Sequence, residues 1–211
     1  MKTFCATIAL LGSFALPLSS ARAAGQDYHD QELNGKDFKQ AALSGADFTD
    51  ATLRGTNFTG ATLKGAIFKG ADLTNTVFNS ADLTGASFVE AVFASQSWAT
   101  FNEADLSKTN FEGMDISNQG FYRTKFREAN LRNTKGWGLL SGDNDFSKAD
   151  LRGANFRGMK FYQVESKPRF RGAIYDEDTA WPDGFDPKAA GAILKAAEKK
   201  DDSAAKSGAD K

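Results

Sequence analysis

The sequence predicts an all-β solenoid whose chain bends inside every five-residue unit and closes one coil after four units. Three observations carry this. A Leu or Phe returns every five positions over most of the chain, glycine recurs two residues after it, and like charges superpose least when twenty residues make a coil. On an α-helix a step of five rotates about 140° and spirals round the whole surface, and on a strand an odd step alternates faces. Only a chain that turns within each unit brings every large side chain back to a common interior.

The N-terminus stands apart from this pattern. Lys2 precedes a largely apolar run from Phe4 to Leu18, and Ala21-Arg22-Ala23 places small residues at −3 and −1 of a cleavage site. This reads as a secretory signal peptide over residues 1–23, cleaved after Ala23. The run is short for a membrane span and Pro17 interrupts it. No transmembrane segment is expected after cleavage, so the mature protein is periplasmic or extracellular. The only cysteine, Cys5, leaves with the leader, so no disulfide is available to the mature chain. One histidine, His29, remains, which excludes a Ser-His-Asp triad in the repeats and a His-rich metal cluster. No cofactor or metal is expected.

Residues 24–30 form a short polar lead-in. The repeats follow over 31–175 with inward centres at Leu33, Phe38, Leu43, Phe48, Leu53, Phe58, Leu63, Phe68, Leu73, Phe78, Leu83, Phe88 and Phe93. They resume at Phe101, Leu106, Phe111, Ile116, Phe121, Phe126 and Leu131, and again at Phe146, Leu151, Phe156 and Phe161. Ala or Thr stands two residues before most centres, as at Ala41, Ala46, Ala51 and Thr56. Glycines such as Gly45, Gly65 and Gly85 follow where a turn needs positive φ.

Charge sets the number of sides, because equivalent residues of stacked coils lie about 4.8 Å apart. Three units per coil would stack Lys39, Arg54 and Lys69, two would set Asp37 on Asp47, and five would set Asp47 on Asp72. Four units place Asp37 against Asn57, Thr52 against Asp72, Asp105 against Lys125 and Glu112 against Arg132. Only Arg132 over Arg152 resists. The length expected from about six coils is on the order of 30–35 Å.

The units Ala-Asp-Leu-Thr-Gly (81–85), Ala-Asp-Leu-Arg-Gly (149–153) and Ala-Asn-Phe-Arg-Gly (154–158) resemble the A(D/N)LXX unit of pentapeptide-repeat proteins. The resemblance covers residues 31–175. It implies a right-handed quadrilateral parallel β-helix with the Leu/Phe and the small residue inward, and a family that includes DNA mimics.

Two places break the pattern. Eight residues separate Phe93 from Phe101, so Gln96-Ser97-Trp98 reads as an insertion (94–100) whose Trp covers the core. Over 134–143 the phase holds, but Gly136 and Ser141 occupy centres; an irregular loop is expected, refilled by Trp137, Leu139 or Leu140. Residues 176–200 are expected to cap the rod: Trp181 and Phe185 plug its open end, and a helix N-capped by Asp186, with Pro187 first, runs to about Lys199. The tail, 201–211, is polar and expected to be disordered.

No constellation signals catalysis, because the Asp/Asn before each centre recurs by unit and catalysis needs one unique arrangement. His29 and the Asp176-Glu177-Asp178 run read as incidental and solvated. The chain is therefore expected not to be an enzyme, a glycan-cleaving β-helix being a distant alternative. Charge is the surface signal. Residues 24–120 carry a net of −7 and residues 121–172 a net of +7. Arg123, Lys125, Arg127, Arg132, Arg152, Arg157, Lys160, Arg169 and Arg171, beside Tyr122 and Tyr162, make the basic half. From these Arg123, Arg127, Arg132, Arg152, Arg157 and Lys160 are the candidate surface for an anionic partner: a glycan, an anionic envelope surface or an acidic protein. Nucleic acid is not an expected partner. A DNA-mimic topoisomerase inhibitor, the main alternative function, needs a continuous acidic surface and cytoplasmic residence, which the basic half and the leader oppose.

Overall fold

The computed structural model describes residues 25–94, 97–137, 139–141, 143–161 and 167–195. The expected signal peptide, with Cys5 and its cleavage point, lies outside them, as do Tyr162 and the C-terminal tail. The side chains of Leu139, Leu140, Ser141, Lys160 and Phe161 are likewise outside the description.

The backbone closes a coil every four units. Asp27 bridges Asp47, Glu32 bridges Thr52, Asp37 bridges Asn57 and Ala42 bridges Thr62, all parallel. Each pair starts one of four columns, which we number as sides one to four. Every rung is stitched in both directions: Asp47 N–H donates to Gln26 O at 2.8 Å and Phe48 N–H to Ile67 O at 2.8 Å. Side one carries nine rungs from Asp27 to Ile193. At ~4.8 Å each that is about 38 Å of rod, more than the sequence suggested because both ends extend further.

Corners follow from residue chemistry. The N–H of the small residue closes each turn onto the preceding centre, as in Ala51 N–H to Phe48 O at 3.1 Å. The residue two past a centre is left-handed at almost every described corner, whether glycine (Gly85, φ 72°) or not (Gln40, φ 55°; Glu90, φ 63°), Gly158 after Phe156 being an exception. The recurring Asp/Asn holds the corner from outside. Asp82 Oδ1 accepts the Thr84 N–H at 3.2 Å and its hydroxyl at 2.7 Å, and Asn57 does the same for Thr59. Inward threonines satisfy their hydroxyls on carbonyls, either of a neighbouring coil, as Thr76 does on Leu53 O at 2.8 Å, or of their own corner, as Thr134 does on Leu131 O at 2.8 Å.

Inside, rings form ladders. Phe38, Phe58, Phe78, Phe101 and Phe121 stack along side three at 4.9–5.2 Å between neighbours. Phe48, Phe68, Phe88 and Phe111 do so on the opposite side one. The two ladders meet edge to face, as Phe48 does Phe58. Leucines line sides two and four, up to Phe93 on side two. Beyond Phe121 the assignment changes: Phe126, Phe146 and Phe170 stack on side four, Trp137, Phe156 and Trp181 on side two, and Leu131 and Leu151 take side one. The aromatic sides thus shift by a quarter lap at the coil holding Phe111, Phe121 and Phe126. Every expected centre with a described side chain is buried except Phe93, which is partly buried and packs on the core.

Several expectations are corrected. The polar lead-in already belongs to the first coil, because Tyr28 N–H donates to Asp47 O and the Tyr28 ring stacks on Phe48 at 4.8 Å. The inserted Trp98 does not cover the core. The layer is filled by Phe78, Phe88 and Phe101, Ala99 takes the small inward slot, and the indole stands 62% exposed.

The second interruption is more regular than a loop. Trp137, one residue past Gly136, enters the core at 2% exposure, its Nε1 donating to Thr134 Oγ1 at 2.9 Å. Then β2 (Leu139–Ser141) pairs in parallel between β1 (Phe121–Tyr122) and β3 (Lys160–Phe161). Phe121 faces Leu140 and Leu140 faces Phe161, so a slip of one residue is made and then undone.

The expected helix after Asp186 is a single turn. Asp186 Oδ1 accepts from Lys188 and Ala189 N–H, Ala192 N–H reaches Pro187 O at 2.9 Å, and Gly191 N–H reaches Lys188 O at 2.9 Å. Gly191 at φ 85° is thus the left-handed C′ residue that stops the turn. The chain then pairs as β5 (Ile193–Leu194) in parallel with β4 (Ile174–Tyr175). Trp181 stacks on Phe156 at 5.1 Å and Phe185 on Trp181 at 5.0 Å, closing the end of the core. No described helix is long and apolar enough to cross a membrane.

Candidate functional site

The columns decide where the basic residues point, and they scatter the expected surface. Arg132 and Arg152 lie on side one, Arg157 on side two, and Arg123 at the corner between sides three and four, while Arg127 belongs to side four. Lys160 is in β3 on side three, its side chain undescribed. Six residues from one stretch of sequence therefore surround the rod and form no single surface. Two are also committed elsewhere. Arg152 folds onto its own neighbour Asp150, with Nη2 at 2.6 Å from Oδ2, and Arg132 reaches within 4.0 Å of Glu112. That divergence answers how two stacked arginines coexist.

Cations do converge on side four, where Asp145 bridges Arg169. A groove of about 580 Å³ is lined there by Arg127, Lys167, Arg169 and Arg171 around Asp145, with Phe170 and Ala190 also in its wall. Arg127 Nε lies 2.6 Å from Asp145 Oδ2 and Arg169 Nε 3.9 Å from the same oxygen. Asp145 is almost wholly covered. Burial pushes its pKa up, but hydrogen bonds from Ser147 and Arg127 and the Arg127 charge outweigh this and hold it below 3.8. The carboxylate is therefore a fixed anion that offsets one guanidinium and orients it. Four cations against one anion leave the groove positive, which favours an anionic group.

Sequence reading missed this convergence for a mechanical reason. Asp145 pairs with Arg169 twenty-four residues on, after a lengthened corner, so the twenty-residue rule places Arg169 and Arg171 on the wrong rung. Lys167 gave no signal at all. A smaller groove of about 300 Å³ on side two holds Arg157 with Ser117, Asn118 and Asn155.

Elsewhere the chemistry is structural. Asp176 is buried, accepting from Gly153 N–H at 2.9 Å and from the Thr179 hydroxyl at 2.9 Å, so it fastens a corner and is not solvated charge. His29 pairs with Asp30 at 3.0 Å, with Asp50 close by; all three are exposed, and nothing preorganises them for an ion.

Comparison with known proteins supplies the family. The family model for pentapeptide repeats matches in eight copies over residues 30–60, 56–93, 97–133 and 143–164. Comparison with curated proteins gives no match. Among solved structures, a pentapeptide repeat protein of the Arabidopsis thaliana thylakoid lumen is 31% identical over 59% of this chain and 68% of its own, with a TM-score of 0.29. HetL, involved in heterocyst differentiation regulation in the cyanobacterium Nostoc sp. strain PCC 7120, is 20% identical over 81% and 86%, with a TM-score of 0.29. Full-length QnrB1, a plasmid-mediated fluoroquinolone resistance protein, is 19% identical over 80% and 93%, with a TM-score of 0.32. Superpositions at these scores carry no argument, and the family model does, since it spans more than half of the chain. With its five-residue units and its match in eight copies, this chain belongs to the pentapeptide-repeat family.

Proposed function

We propose that the protein is an exported, non-enzymatic scaffold that holds an anionic partner in the groove of side four. The observation that carries this is the gathering of Arg127, Lys167, Arg169 and Arg171 about one covered carboxylate. Export rests on the leader-like residues 1–23, and right-handed winding on family membership. The partner is an anionic glycan, an anionic envelope surface or an acidic protein. A DNA mimic would need uninterrupted acidic sides. Here Lys64 meets Asp82 and Lys125 meets Asp105, both at 3.2 Å, so acid and base alternate along the rod.

The test pairs the double variant Arg169→Glu/Arg171→Glu with Arg152→Glu as a control on another side. Binding to polygalacturonate and to phosphatidylglycerol vesicles should fall at least tenfold in the first and little in the second. Equal binding by all three proteins refutes the groove. N-terminal sequencing of the protein from a native host tests export, the expected first residue being Ala24.

A further inference from the structure

We infer a second binding surface, on side three, that takes the flat face of a β-linked gluco-configured sugar ring. It is independent of the cationic groove. The three-residue insertion after Phe93 places Trp98 outside the rod, 62% exposed, where it shields little of the core. The residue is nevertheless held. Its backbone N–H donates to Asn75 Oδ1 at 2.9 Å, and the preceding Ser97 is buried with its N–H on Ala94 O at 3.0 Å.

The indole also has a seat. Gly120 sits on the adjacent coil, and a Cβ there would stand 3.3 Å from Trp98 Nε1. Gly120 has an ordinary φ, so what it supplies is space, not a turn. Tyr122, two residues along the same extended segment and on the same outward side, is 38% exposed, with the Arg123 guanidinium 5.6 Å from its ring centroid. Two exposed aromatic rings thus stand on one rigid side.

The surroundings choose the occupant. Thr100 and Asn102 flank Gly120 with the indole, and the aliphatic residue described on this side, Val77 on the coil that bridges Thr100, is only partly exposed. A protein anchor or a lipid tail would want a wider apolar rim than one half-covered valine. Donors are present instead. Asn79 Oδ1 accepts the Asn102 N–H at 3.0 Å and Asn102 Oδ1 accepts the Tyr122 N–H at 2.9 Å. Each side-chain amide oxygen is consumed by the next coil, which orients the NH₂ groups and leaves them without partners among the described residues. The Trp98 indole N–H is in the same state. A ligand with an apolar C–H face and a hydroxyl edge meets both requirements, and an all-equatorial pyranose has that form.

The probes are cellohexaose and chitohexaose, added to the full mature chain while the Trp indole N–H resonances are followed by NMR. The Trp98 resonance, identified by its loss in Trp98→Phe, should shift with a Kd on the order of 1 mM, while that of Trp137 stays fixed. Trp98→Ala should weaken binding at least tenfold with an unchanged melting curve, Trp98→Phe should keep part of it, and Tyr122→Ala should cost several-fold. The Arg169→Glu/Arg171→Glu variant should bind these sugars as wild type does, which separates a failure here from a failure of the groove. No shift with either sugar, or equal binding by Trp98→Ala, overturns the proposal.

Discussion

At the scale of single residues, two positions of the unit do different work. The position two past a centre is left-handed at nearly every described corner, and at Gly85 nothing lies within 4 Å of an added Cβ. Gly85→Ala therefore tests backbone conformation alone and should lower stability by about 1–2 kcal/mol. Gln40→Gly, at φ 55°, should raise it by up to about 1 kcal/mol, offset by the greater freedom of glycine in the unfolded chain. Urea unfolding of both variants checks the opposite signs. The Asp before each centre acts through one acceptor oxygen. Asp82→Asn keeps that oxygen for Thr84 and should be mild, whereas Asp82→Ala leaves the corner amide unheld and should cost about 1 kcal/mol. Sequence periodicity exposed both positions, because each recurs. It could not expose Trp98, whose only signal was an eight-residue gap, equally compatible with a ring turned in or out.

At the scale of the element, the corners are where reading from sequence weakened. A corner can lengthen without disturbing the rungs on either side, so pairing steps of twenty-three, twenty-four and twenty-five residues coexist with twenty. Nothing local in Asp145 announces that its neighbour is Arg169. Trp137 shows where residue size helps: a large ring one residue out of phase fills the space that Gly136 leaves, as expected of Trp137, Leu139 or Leu140, although periodicity alone could not choose among the three. At the C-terminus, Asp186-Pro187 does open a helical turn, but Gly191 ends it one turn later, and Ile193 and Leu194 extend the ladder. Replacing Ile193 with Pro removes its N–H bond to Ala173 O, 2.7 Å long, and should uncover the β4 edge. Faster hydrogen exchange at Gly172, whose N–H donates to Gly191 O at 2.8 Å on the displaced coil, is the expected result, with Ile174 (bonded inward to Ala149 O) and the middle coils unaffected.

At the scale of the whole molecule, the four-sided coil was legible because stacked charges must alternate, and the structure pairs them: Arg54 with Asp72, Lys64 with Asp82, Lys125 with Asp105. Two bridges still set like charges together: Asp27 on Asp47 at the regular step in the first coil, and Asp82 on Asp105 through the insertion, where each carboxylate turns to its own lysine. These carboxylates govern the response to acid. Burial raises the pKa of Asp72, Asp82, Asp105 and Asp150, but hydrogen bonds and neighbouring cations outweigh it, and all four end below 3.8. Asp47 and Asp115 are lowered chiefly by their hydroxyl partners. A depressed folded value contributes stability above the unfolded value, so melting temperature should be flat from neutrality to about pH 5 and fall as the pH passes below 3.8. A midpoint of loss near pH 6 would contradict this account. Core rings dominate the remainder: Phe68→Ala, fully buried between Phe48 and Phe88, should cost about 3–5 kcal/mol.

The quarter-lap exchange of ring-bearing sides has an evolutionary consequence. Within the first half, excising or duplicating twenty residues, such as 46–65, superposes phenyl on phenyl and leucine on leucine, so that half can change length freely. An excision of the coil that spans Phe111 to Phe126 would set Leu131 against Phe88 on side one and Phe146 against Leu106 on side four. That coil acts as a stacking fault between two homogeneous blocks, and it fixes how many laps lie on each side of it.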